Sequence, residues 1–233
     1  MTVTLRPSAA RGHADHGWLD SRHTFSFAHY FDPEQMGFRA LRVINEDVIA
    51  PGTGFGPHGH HDMEIITYVT AGALEHRDST GGHSVIRPGE VQRMSAGTGV
   101  RHSEVNASRE EPVRLLQIWI VPAREGLAPG YEQALFPPDG KRNRLCPIAA
   151  PGGRDGALTL GQDATVYASL LDAGVRQELP LAAGRGAWIQ LISGRAMVNG
   201  GELADGDGAA VEDVGTVTLE ALAESELLVF DLP

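Results

Sequence analysis

The sequence has one cysteine, Cys146, and one lysine, Lys141, among 233 residues, and no histidine after His102. A single thiol excludes an intramolecular disulfide framework and any cysteine-based zinc or iron–sulfur site. A metal here would have to sit on histidine and carboxylate. Acidic residues outnumber basic ones by 30 to 19, a net charge of -11. That balance argues against direct nucleic-acid binding, whose affinity comes from clustered cations releasing counterions. No run approaches the roughly 18 consecutive apolar residues of a membrane span. The first residues lack the apolar segment of a secretory signal, so a cytoplasmic protein with no membrane or nucleic-acid partner is expected. Helical periodicity is weak throughout, and short helical turns are expected only near residues 129–135.

What fills the chain instead is a series of short apolar and β-branched runs. They fall at 41–49, 63–70, 73–77, 114–121, 166–171, 187–192, 195–199 and 226–232, set apart by Gly, Pro, Asp and Asn. With 29 glycines, many of them between these runs, the pattern is that of an all-β sandwich or barrel. A faint repeat accompanies it. An apolar strand, a small-residue turn and a second strand at 66–74 return at 189–197, followed by Gly-centred turns at Gly89 and Gly206. Two related β-barrels from an internal duplication would produce this pattern. Residues 122–156 hold six of the 14 prolines and read as an irregular connector. The expected division is therefore 1–121, a connector at 122–156, and 157–233.

Ligand-type residues gather at two places. In the glycine-rich stretch from Gly52 to Glu64, His58 and His60 are two apart and would project from one strand face, with His61 pointing away. His102 and Glu104 have the same spacing. Three neutral imidazoles and one carboxylate suit a divalent first-row metal and leave positions open on it. A solvated or hydrogen-bonded ring is the plainer account for most of the ten histidines. His13, His16, His23 and His29, among Trp18, Phe25, Phe27, Tyr30 and Phe31, read as packing across a barrel, with a lid as the second reading. Phe55 and Met94 flank the two motifs and are candidates for lining a substrate pocket. Cys146, beside Pro147, reads as an inert thiol.

These motifs resemble the cupin superfamily and, more closely, the pirin family. The general cupin pattern of Gly, five residues, His-x-His and a later Glu is met by Gly52, His58, His60 and Glu64. Its second pattern is approximated by Pro88, Glu90 in place of a glycine, His102 and Asn106. The pirin resemblance runs through Arg11-Gly-His-Ala-Asp-His-Gly-Trp-Leu-Asp20, His23-Thr-Phe-Ser-Phe27, Leu41-Arg-Val-Ile-Asn45, Gly56-Pro-His-Gly-His-His-Asp-Met-Glu-Ile65 and Met94-Ser-Ala-Gly-Thr-Gly-Val-Arg-His-Ser-Glu104. It implies a bicupin, two double-stranded β-helix barrels, whose N-terminal barrel binds one metal through His58, His60, His102 and Glu104. In this pattern the carboxylate two residues after the third histidine replaces the glutamate of the first motif, which moves Glu64 to a hydrogen bond behind the ligands or to the rim. Spacing agrees, since Glu64 lies about 13 Å beyond His60 along an extended strand at roughly 3.3 Å per residue.

The resemblance further implies a quercetin 2,3-dioxygenase, opening the C ring of a flavonol with dioxygen and releasing carbon monoxide. The implied cofactor is one divalent transition metal, Fe(2+) first, with Mn, Ni, Co, Cu or Zn as alternatives. The implied partners are a small planar phenolic substrate and dioxygen, with Glu104 as catalytic base. A second reading, also carried by the resemblance, is a non-catalytic metal-dependent redox sensor that binds a protein partner. Superposing the repeat puts Leu181, Ala182 and Ala183 where His58 and His60 stand, and Leu219 and Glu220 near the later pair. The second barrel is thus expected to bind no metal.

Overall fold

The computed structural model describes residues 2–233. Strands run in chain order as β1 (Thr2–Arg6), β2 (Gly12–Asp15), β3 (Leu19–His23), β4 (Leu41–Ile49), β5 (Gly54–His60), β6 (Glu64–Ala71), β7 (Leu74–Asp78), β8 (His83–Ile86), β9 (Glu90–Ser95), β10 (Val100–Asn106), β11 (Val113–Ile120) and β12 (Gly130–Leu135). A single helical turn, α1 (Pro138–Lys141), precedes β13 (Cys146–Pro151), β14 (Leu158–Leu160), β15 (Thr165–Leu171), β16 (Arg176–Pro180), β17 (Gly186–Ser193), β18 (Arg195–Val198), β19 (Gly201–Ala204), β20 (Gly208–Glu212), β21 (Thr216–Ala221) and β22 (Ser225–Leu232). No helix among the described residues is long and apolar enough to cross a membrane.

Four sheets make two barrels. One seven-stranded sheet has the order β12-β9-β6-β11-β4-β3-β2 and faces the four-stranded β5-β10-β7-β8. The other seven-stranded sheet, β1-β20-β17-β22-β15-β13-β14, belongs with β16-β21-β18-β19. The order β9-β6-β11-β4 reappears as β20-β17-β22-β15, and β5-β10-β7-β8 as β16-β21-β18-β19. The duplication expected from the faint repeat is therefore present over these eight strands of each barrel.

The two large sheets turn one face to each other. Phe25, Leu41, Ile66, Tyr68 and Ile118 from the first half share a continuous buried cluster with Ile148, Val166, Trp188, Leu228 and Phe230 from the second. Alternation explains this: Ile66 and Tyr68 face the partner barrel, while Ile65, Thr67 and Val69 on the same strand face the interior of their own.

Three expectations about chain organisation need correction. Residues 129–135 are not helical turns, because β12 pairs antiparallel with β9 from Gly130↔Ser95 to Leu135↔Glu90. The helical turn forms instead at α1, where Pro138 fits the first helical positions. Second, β1 belongs to the second barrel, since Thr2–Arg6 pairs with β20 as Thr2↔Glu212 through Arg6↔Gly208 and covers an otherwise open edge. Third, the stretch 122–156 is not an irregular connector. Its two strands, β12 and β13, extend the first and second large sheets respectively.

Candidate metal centre

Strands β5 and β10 pair antiparallel, and their register sets His58 directly opposite His102 and His60 opposite Val100. A bulge between His102 and Glu104 then brings Glu104 opposite Phe55. Bulges re-aim side chains at sites of this kind. The bulge needs close backbone contact, and Gly54 permits it. A Cβ at position 54 would lie 2.2 Å from the Glu104 carbonyl oxygen and 2.5 Å from Val105 Cα.

The three imidazoles converge. Donor atoms of His58, His60 and His102 all lie within 4.8 Å of one another, and the ring centroids are 4.4 to 4.8 Å apart. His58 Nδ1 lies 2.8 Å from the Gly56 carbonyl oxygen, to which it donates, leaving Nε2 free to act as a ligand. His60 Nε2 and His102 Nε2 face each other at 2.9 Å. Burial, and then the neighbouring imidazoles, push His60 down to about 4 and His102 to about 2. Both rings are thus neutral at physiological pH, the form that binds metal.

Glu104 is buried on the same strand as His102. Burial raises its carboxyl to about 7, against partial relief from Gln117 and Thr67. Gln117 Nε2 donates to Glu104 Oε2 at 2.8 Å, and Thr67 Oγ1 lies 3.5 Å from Oε1. A donor atom of Glu104 also falls within 4.8 Å of donors on His76 and His102. The donor chemistry fits a divalent cation. Three imidazoles are crowded together, and the adjoining buried carboxylate has no basic side chain among its hydrogen-bond partners.

Two candidates fall elsewhere. Glu64 is neither behind the ligands nor at the rim. It accepts from Ser95 Oγ at 2.8 Å, lies beside Gly161 of the second half, and its carboxyl is raised by burial. The picture of one extended strand running from His60 to Glu64 fails because β5 ends at His60, and β6 begins at Glu64 in a different sheet, after a turn with Asp62 at φ 46. Met94 is 1% exposed and packs with Ile65, Ala96 and Val100 in the barrel core, so it lines no pocket. Phe55 does line the cavity, edge-on to Trp18 at 5.1 Å.

That cavity, about 560 Å³, is lined by His58, His60 and Glu104, with His102 buried behind them. Trp18, Phe27, Tyr30, Phe55 and Trp119 give it aromatic walls, and Ser21, His23, Asn45, Asp47 and Gln117 give it a polar strip. His13, His16 and His29 also face it. The aromatic N-terminal segment is therefore chiefly a cavity wall, with Phe25 diverted into the inter-barrel core against Trp188 at 4.9 Å and Phe31 exposed to solvent. Sequence reasoning missed Asp47, Gln117 and Trp119. The signal for the first two was a polar residue interrupting an apolar strand.

A family model described as Pirin matches residues 4–120, and one described as quercetinase C-terminal cupin domain matches 147–232. The chain is 48% identical over 231 residues to quercetin 2,3-dioxygenase of Escherichia coli K12, covering 99% of each. It is 42% identical over 230 residues to a pirin-like protein of Caulobacter vibrioides, covering 98% of this chain and 99% of that one. Among solved structures, bacterial pirin YhhW from Escherichia coli in complex with nickel(II) superposes with a TM-score of 0.96 at 47% identity, covering 100% of this chain and 99% of that one. The cupin site of the first barrel is thus a site for a divalent metal ion.

Proposed function

Because this chain belongs to the pirin family and is quercetin 2,3-dioxygenase-like along its whole length, we propose that it opens the C ring of quercetin-type flavonols with dioxygen and releases carbon monoxide. The observation that carries this reading is the aromatic-walled cavity lined by His58, His60 and Glu104. Its volume of about 560 Å³ falls in the range of small-molecule sites, roughly 300–1,000 Å³.

In this reading His58, His60, His102 and Glu104 hold one divalent first-row ion, with Fe(2+) as the first candidate and Ni(2+) as the second. When bound, such an ion favours the ionised 3-oxygen of a flavonol over the neutral phenol and offers it an open position. Glu104 accepts the 3-hydroxyl proton. Gln117 and Thr67 hold that carboxylate in place. Trp18, Phe55, Phe27 and Trp119 hold the flat rings and exclude water, and Asp47 and Asn45 offer acceptors to the ring hydroxyls.

The test is oxygen-dependent loss of the flavonol absorption band, with carbon monoxide trapped and an anaerobic control. Protein loaded in turn with Fe, Mn, Ni, Co and Cu should consume quercetin with at least one metal. Absence of oxygen-dependent turnover with all five would overturn the reading.

A further inference from the structure

His76 is wholly buried, and the proposed reaction gives it no task. It lies on β7, opposite Glu104 of β10, with its ring 4.9 Å from that of Tyr131. Its Nδ1 is 3.4 Å from His102 Nδ1, and its Nε2 is 3.1 Å from Asp78 Oδ2. Asp78 is itself fixed: its Oδ1 accepts from the backbone N–H groups of Thr80 at 2.8 Å and Gly82 at 3.1 Å. The three side chains form one buried line running away from the metal cluster.

We infer that His76 is a positioning residue for the metal centre, holding His102 in the tautomer and orientation that present Nε2 to the ion, with Asp78 orienting His76 in turn. The inference rests on the reading of His102 as a ligand. His102 Nε2 is the nitrogen turned toward His60, so as a ligand it carries a lone pair. A neutral imidazole has one N–H, which places the proton of His102 on Nδ1. The facing Nδ1 of His76 must then accept, and the single proton of neutral His76 sits on Nε2, where it donates to Asp78. Each assignment forces the next. Outer partners of this kind fix ring orientation and raise ligand basicity. His76 also lies within 4.8 Å of donors on His102 and Glu104, but it meets the Nδ1 flank of His102 while His60 lies on the Nε2 flank, so with His102 binding through Nε2 it stands behind that ligand.

Gly82 gives an independent handle on this line. A Cβ there would fall 2.3 Å from Asp78 Oδ2, so Gly82→Ala displaces the carboxylate without touching either histidine.

The full chain, loaded with Zn(2+) and labelled with 15N at histidine, reports the tautomers through two-bond proton–nitrogen correlation spectra. His102 should carry its proton on Nδ1 and His76 on Nε2; a proton on Nδ1 of His76 overturns the inference. Ni(2+) affinity, measured by chelator competition, should fall about 10- to 100-fold in His76→Leu. It should recover to within a few-fold in His76→Gln, whose amide offers an acceptor and a donor, and fall by a smaller factor in Gly82→Ala. Folded His76→Leu protein that binds Ni(2+) within twofold of the unsubstituted chain overturns the inference. The tautomer result on the unsubstituted chain decides the matter if that variant does not fold. Neither readout involves a flavonol or dioxygen, so failure of the proposed turnover and failure of this inference are separate results.

Discussion

Removing the metal should make stability depend on pH through Glu104, with a sign that runs against ordinary acid denaturation. Its carboxyl is 2% exposed and is held at about 7 by burial, against an ordinary 4.5. An acid whose folded value exceeds its unfolded one stabilises the fold fully below the unfolded value and loses that contribution as pH rises through the folded value. The interval from 4.5 to about 7, at about 1.4 kcal/mol per pH unit, comes to ~3 kcal/mol. Most of it, about 2–3 kcal/mol, falls between pH 5 and pH 8. His60 and His102, lowered by burial, act in the opposite direction and lose stability as pH falls. The comparison must therefore be between metal-free wild type and metal-free Glu104→Gln, which share those histidines. Urea denaturation of both at pH 5 and pH 8 should show the variant gaining about 2–3 kcal/mol relative to wild type over that interval. Excess Ni(2+) should abolish the wild-type loss, because the ion binds the ionised form. Parallel stability of the two metal-free proteins from pH 5 to pH 8 would refute the argument.

Glu64→Gln should leave Ni(2+) affinity within about twofold of wild type while Glu104→Gln lowers it at least about 10-fold; chelator competition measures both, and the reverse order would restore the general cupin ligand set. Gly54→Ala must part β5 from backbone atoms 2.2 and 2.5 Å away. It should cost about 1–3 kcal/mol in urea denaturation and weaken Ni(2+) binding, since the strain falls on the bulge that aims Glu104. Met94→Ala should lower stability by about 2–5 kcal/mol with little change in flavonol KM. Phe55→Ala should do the opposite, raising KM at a smaller cost in stability, and steady-state kinetics with thermal melts separate the two.

Much of the fold was legible because strand composition and alternation are local. The runs at 41–49 and 166–171 emerge as β4 and β15 with at most one residue of difference, and the repeat at 66–74 and 189–197 marks equivalent strands. What could not be read locally is pairing between distant segments. Nothing in Thr2–Arg6 says that its partner lies at residues 208–212, and nothing in Gly130–Leu135 says that β9 has a free edge. The histidine pairs were legible because two residues on one strand share a face. Glu64 was misplaced because the strand carrying His60 ends there and a new strand, in another sheet, starts beyond the turn at Asp62. The aromatic N-terminal segment was ambiguous for another reason: packing across a barrel and lining a cavity demand the same side chains.

The two barrels share a topology and differ in what fills them. Leu179, Leu203, Val217, Leu219 and Ala221 fill the second with aliphatic side chains, in the strands that match the first barrel's ligand-bearing pair and its neighbours. The interior of the first holds Asp47, Thr67, His76, Gln92, His102 and Glu104, all buried, and both polar side-chain atoms of Gln92 lack a partner. Polar groups buried this way destabilise unless satisfied. The offset comes from next door. The apolar cluster between the large sheets ties Phe25, two residues beyond the cavity-lining His23, to Trp188 of the second barrel. The aliphatic second barrel, packed against the first through this shared cluster, can thus carry stability that the polar interior of the first gives up.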